Sequence, residues 1–233
     1  MESGNMETIV RPKSLTELVA EKLMDMIVNG SLELGAQVSE ARIAKDFDVS
    51  RTPVREAFNR LEMEGLLKLS PQKGTFVFSL SAEELVQLCD ARVCLEKTAF
   101  QTAIANNPEE LHAQLTDVVQ RMTEAREAGD DNLYLSLDTV FHQCLFDCSK
   151  NHFLNDAYQA ISKKMAAIRN RLGRHPEHMN KSFREHCEMV DAVKKRDVEL
   201  ALNILSMHID RIEGSYWKMA TIKASEGQEI FSS

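Results

Sequence analysis

Asp138 and His142 stand four residues apart in LDTVFHQCLF, so on a helix their side chains share one face. Leu137, Phe141 and Leu145 flank that face and turn it inward. Two donors seldom hold an ion usefully, but two later segments each add an inward imidazole. These are His186 in FREHCEMV, beside Phe183, Met189 and Val190, and His208 in ILSMHIDRI, beside Leu205 and Ile212. One carboxylate and three imidazoles from three helices suit a borderline divalent ion, Zn or Ni foremost and Mn or Fe after them. Taken singly, an inward His is more often a hydrogen-bonded core residue, so spacing alone leaves that alternative open.

A second constellation lies at residues 49–67, VSRTPVREAFNRLEMEGLL. Ser50 is placed to cap a helix, Pro53 falls in its first turn where a missing N–H costs nothing, and Gly65 follows as a stop. Val54, Phe58 and Leu61 form an apolar stripe, while Arg51, Arg55 and Asn59 line the opposite face. Ahead of it, SEARIAKDF at residues 39–47 makes another short helix, giving a helix-turn-helix whose second member can enter a major groove. Two arginines one turn apart could each grip guanine O6 and N7. Downstream, residues 67–69 and 75–78 read as strands around the turn SPQKG, a wing with Lys73 at its tip for phosphate or minor-groove contact.

The elements that must carry these residues follow from pattern and punctuation. Residues 1–13 read as a flexible arm, Ser14 with Glu17 opens a helix to about Asn29, and residues 14–80 form the winged helix-turn-helix. Ser81 with Glu84 opens the next helix, and long amphipathic stretches follow near 82–105, 108–128, 131–149, 154–172, 181–194 and 198–221. The expected fold is therefore mainly α: a winged helix-turn-helix, then an antiparallel all-α bundle of about six helices over residues 81–222, then a flexible tail over 223–233.

A chain of 233 residues with 43% apolar content can build two cores. Cys89, Cys94, Cys144, Cys148 and Cys187 contain no CxxC pair and no even disulfide framework, which fits a reduced cytoplasmic setting. No apolar run reaches membrane-span length, so a soluble protein without membrane attachment is expected. The net charge is −8, and residues 1–80 hold ten cations against twelve anions. Only residues 51–73 run the other way, with five cations against three anions, a narrow basic ridge suited to specific more than nonspecific contacts.

VSRTPVREAFNRLEMEGLL followed by PQKGTFV resembles the winged helix-turn-helix of the GntR family of bacterial transcription regulators, over about residues 14–80. The resemblance implies that Arg51 and Arg55 read bases, that Ser50 and Thr52 help hold phosphates, and that Lys73 and Gly74 touch the adjacent groove. Some relatives carry an arginine where this chain has Ala41. Arg42 comes one residue later, a rotation of about 100° about the helix, so no DNA contact is carried over to it.

The later segments DTVFH, FREH and MH are similar to the FCD effector domain of FadR-type GntR regulators. That resemblance implies a divalent metal held by Asp138, His142, His186 and His208, and argues against an acyl-chain pocket. It also implies that Arg92, in LCDARVCLEKTAF, faces an effector cavity where a guanidinium could clamp a carboxylate. Spacing equally fits an Arg92 to Glu96 pair on a solvated face. His112, His152, His175 and His178 are expected to be solvated, and Cys144 and Cys148 to be small core residues. The function expected is that of a metabolite-responsive repressor, a homodimer on an inverted-repeat operator of double-stranded DNA, with a small organic acid as effector. The competing readings are a metal-dependent enzyme in the bundle and a regulator whose metal is purely structural; an enzyme would not need Arg51, Arg55 and the wing.

Overall fold

The computed structural model describes residues 12–172 and 176–209, apart from the side chains of Ala82 and Leu172. Nearly all of the expected arm, the whole tail, the last stretch of the expected final helix and His175 lie outside the described residues. The described residues fall into two compact units, one within 12–26 and 35–78, the other within 27–34, 79–172 and 176–209.

α1 (Leu15–Asn29), which belongs to the first unit as far as Met26, opens with a reciprocal pair of bonds: Ser14 N donates to Glu17 Oε2 at 2.7 Å and Glu17 N donates to Ser14 Oγ at 3.2 Å. A two-residue strand β1 (Gln37–Val38) leads into α2 (Glu40–Asp46), and α3 (Arg51–Met63) follows after a tight turn in which Asp48 takes φ 53°. Val54, Ala57, Phe58 and Leu61 of α3 are buried, as are Ile43 and Ala44 of α2, against which α3 packs, and Val19, Ala20 and Leu23 of α1. That apolar stripe fixes which face of α3 is left to solvent. The strands β2 (Leu67–Ser70) and β3 (Gly74–Val77) pair antiparallel, Leu67 opposite Val77 and Ser70 opposite Gly74, and β1 joins the far edge of β3. Gly74 is required at the wing's turn. Its φ is +106°, and a Cβ there would come 2.8 Å from Gln37 Nε2, which itself donates to Lys73 O at 2.8 Å.

The second unit is an antiparallel bundle of α4 (Ala82–Asn106), α5 (Pro108–Glu127), α6 (Asp131–Ser149), α7 (His152–Leu172), α8 (Pro176–Lys195) and α9 (Val198–Ile209). A full capping box between Ser81 and Glu84 starts α4, and Asp130 caps α6 by accepting from Leu133 N at 2.9 Å. α6 packs against α4, α5 and α7, and α8 against α5 and α9, so side chains from α6, α8 and α9 can meet inside. The core between them includes Phe100, Leu111, Leu115, Tyr134, Phe141, Leu145, Met189 and Leu205. One boundary departs from the sequence reading: α8 begins at Pro176, not near 181, because proline at a first helical position is pre-set for the turn. His178 consequently sits half-buried on a helix instead of in a solvated loop.

Candidate functional site

On the first unit, Arg51 and Arg55 project from the start of α3 with side chains 64% and 62% exposed, which leaves both available to a partner. Glu40 of α2 lies between them, its Oε2 at 3.3 Å from Arg55 Nε and 3.9 Å from Arg51 Nη2. Thr52 and Lys73 are exposed and Gly74 is half-buried at the base of the wing's turn. Ser50 occupies the N-cap position with extended backbone but makes no side-chain capping bond, contrary to the cap expected of it. Arg42 points into solvent and pairs with Asp46 at 3.6 Å along its own helix.

On the second unit, α6 supplies Asp138 and His142, α8 supplies His186 and α9 supplies His208, and one donor atom from each lies within 4.8 Å of the others. His142 Nε2 is 3.2 Å from His208 Nε2, and His186 Nε2 is 3.5 Å from Asp138 Oδ1. Bonds of roughly 2.1 Å to a first-row ion set donors about 3–4 Å apart, so this set needs only a slight contraction to ligate one. All four of the sequence-derived candidates are therefore brought together. Both ring nitrogens of His186 are buried without a hydrogen bond, and an ion at the donor set would satisfy Nε2, the one beside Asp138.

Charge around the set favours neutral imidazoles, the ligating form. Burial depresses His142, and Arg92 beside it adds to the effect. Burial and the neighbouring His208 bring His186 down to about 3, and the same two causes bring His178 down to about 4. Burial would raise the Asp138 carboxyl, but Arg169 and the three imidazoles outweigh it and hold the group ionised, well below the usual carboxylate range. Two further carboxylates lie behind the rings. Glu185 Oε2 is 3.0 Å from His208 Nδ1, and Glu96 Oε2 is 2.7 Å from His142 Nδ1, though off the axis of the ring N–H. Each favours the tautomer that turns Nε2 toward the other donors.

Arg92 is buried, 3% exposed, so the solvated-face alternative does not hold. Its Nε donates to Glu96 Oε1 at 2.6 Å, and its Nη2 lies 2.8 Å from His142 Nε2, against the donor set itself. Burial opposes the charge on Arg92, but Glu96 more than offsets it and the guanidinium stays protonated.

Sequence reasoning missed Arg169 and Glu185; Glu96 was expected only as a partner of Arg92 on a solvated face, and the pair is present but buried. Arg169 of α7 pairs with Asp138 Oδ2 through Nη1 and donates to Thr139 Oγ1 at 3.2 Å through Nη2, while its buried Nε has no partner. A signal existed: Arg169 lies four residues after Met165, on that helix's inward face, and Glu96 lies four after Arg92. Tyr158, fully buried on α7 and stacked on Phe146 at 4.1 Å, also carries an unpartnered hydroxyl.

Residues 15–77 match the model for bacterial regulatory proteins of the gntR family, and residues 87–211 match that for the FCD domain. The chain is similar to the uncharacterised HTH-type transcriptional regulator YdhC of Bacillus subtilis, 31% identical over 81% of this chain and 85% of that protein. The Nta operon transcriptional regulator of Aminobacter aminovorans is 30% identical over 80% of this chain and 89% of its own. The gluconate operon transcriptional repressor of Bacillus licheniformis is 26% identical over 84% and 82%. Among solved structures, Escherichia coli McbR/YncC superposes with a TM-score of 0.76 at 22% identity over 89% of this chain and 99% of that one, a likeness of fold. The chain belongs to the gntR family of bacterial regulatory proteins, with an FCD domain as its second part.

Proposed function

We propose that this DNA-binding transcription regulator, which is not an enzyme, acts as a homodimeric repressor. It occupies an inverted-repeat operator and responds to a small carboxylic acid. Arg51 and Arg55 read guanine edges, Ser50 and Thr52 steady the phosphates, and Lys73 with Gly74 carries the wing into the neighbouring groove. In the bundle, Asp138, His142, His186 and His208 hold a divalent ion, Zn or Ni first and Mn or Fe next, which supplies a Lewis-acidic position for a ligand oxygen. Arg92 orients the ligand carboxylate.

The observation that carries the sensing half is the convergence of four donor atoms within 4.8 Å, with the Arg92 guanidinium 2.8 Å from one of them. A surface scaffold would not bury two arginines and three acids about one point. An acid bound there favours one packing of the bundle helices and thereby one spacing of the two recognition helices in the dimer. Since both half-sites must be met together, a small change in spacing costs much of the affinity. Relatives named as operon repressors support the repressor half of this reading. Anisotropy titrations on DNA upstream of the coding region, with and without a panel of small carboxylic acids, test this. At least one acid is expected to weaken binding, and to lose that effect once a chelator strips the ion. If no acid alters affinity, the sensing half is wrong.

A further inference from the structure

Three carboxylates lie in or beside the donor set, Asp138 within it and Glu96 and Glu185 behind the rings, and each has one cation. Glu96 has Arg92 at 2.6 Å, Asp138 has Arg169, and Glu185 has Lys181 at 3.6 Å. With neutral imidazoles this shell is balanced. A divalent ion ligated by the same residues adds two positive charges, in a place where Arg92, Glu96, Asp138 and Arg169 are all under 5% exposed. Uncompensated charge in such a place is costly. A ligand bearing two negative charges restores the balance, and one bearing a single charge leaves it half done.

Geometry gives the second charge a partner. Arg92 Nη2 rests on His142 Nε2 and Arg169 Nη1 on Asp138 Oδ2, and these two acceptor atoms are 3.9 Å apart. Both acceptors belong to the donor set. Ligation would take the single lone pair of His142 Nε2 from Arg92 and would leave Arg169 sharing Asp138. Arg169 already has a buried Nε without a partner. Two guanidinium forks, one from α4 and one from α7, therefore flank a centre small enough for one three- or four-carbon molecule to touch both.

Resting on the reading of the bundle as an ion-assisted acid sensor, we propose that its ligand is a short dicarboxylate, one carboxylate at the ion and Arg92, the other on Arg169. Arg169 is then the residue that separates diacids from monoacids. A fork-to-carboxylate contact in a dry site is directional and charge-assisted, so its loss should be visible in affinity.

The test uses the full chain loaded with Zn and isothermal titration calorimetry with succinate and malonate against the length-matched monoacids butyrate and propionate. The diacids are expected to bind about tenfold or more tightly than their matched monoacids. Arg169→Met should erase that preference, and Arg169→Lys should weaken it while leaving monoacid affinity within about twofold and Zn content unchanged. Because Arg169→Met strips Asp138 of its cation, Arg169→Lys serves beside it: the charge is kept, the fork is lost, and diacid affinity should still fall. Equal binding of matched diacids and monoacids, or a diacid preference that survives in both variants, overturns the proposal and leaves acid sensing standing. Zn binding with no response to either class overturns acid sensing as well.

Discussion

Two of the three imidazoles have a carboxylate behind them, Glu96 for His142 and Glu185 for His208. Outer carboxylates of this kind typically contribute about ten- to a hundredfold to ion affinity, so Glu96→Gln is expected to weaken Zn binding by about that factor in a chelator-competition titration. An unchanged affinity would mean that Glu96 serves Arg92 alone. The cysteines offer a pH reading of the fold. Burial pushes the Cys144 thiol up to about 12 and the Cys148 thiol up to about 11, so both stay protonated, and hence unreactive, at pH 8. Alkylation of the native protein at that pH should therefore label exposed Cys94 first and reach Cys144 and Cys148 only after unfolding, as mass spectrometry of the peptides would show. The donors Asp138, His142, His186 and His208 were legible in the sequence because inward helical faces carried them. Arg169 and Glu185 were not, because an ionisable side chain on an amphipathic helix reads as solvated until a neighbouring helix covers it.

Helix ends were legible wherever a side chain writes them. The Ser14 and Ser81 boxes stand where their spacing predicts, and Pro108 and Gly129 break the chain as expected. Where a proline could either break or begin a helix, as at Pro176, the sequence alone did not choose, and the start of α8 was placed too late. Ser50 shows a related limit: residue type and backbone fit a cap, yet the hydroxyl makes no capping bond, which leaves it for a different partner. By contrast Ser81 Oγ accepts from Glu84 N at 3.1 Å, and Glu84 answers to Ser81 N at 2.8 Å. Ser81→Ala should therefore lower the bundle's stability by about 1 kcal/mol, seen in urea as a lower midpoint with an unchanged slope. No shift in midpoint would show that packing alone sets the start of α4.

Across the molecule, a net charge of −8 and a basic ridge confined to α3 and the wing make nonspecific attraction to DNA weak, so affinity must rest on a few directed contacts. The two-part architecture was legible from one punctuation mark, the capping box at Ser81, together with the change from mixed strand and helix signals to unbroken helical periodicity. What could not be read was how far the donor residues are partnered by the protein itself: Asp138 by Arg169, His208 by Glu185 and His142 by Arg92, with His186 left unpartnered. Removing an ion from such a centre leaves few buried charges alone. Chelation is therefore expected to abolish the acid response while far-UV circular dichroism keeps its helical signal; collapse of that signal would mark the ion as structural instead.

The proposed reading of DNA by Arg51 and Arg55 is what every later step serves, and it can be measured in isolation. Anisotropy of a labelled duplex from the upstream region would be titrated with the full chain and with the Arg51→Ala, Arg55→Ala double variant, whose thermal melt must match. Loss of two base-reading arginines, at about 1–3 kcal/mol each, predicts a fall in affinity of at least about thirtyfold. Equal affinity in the well-folded double variant would contradict it.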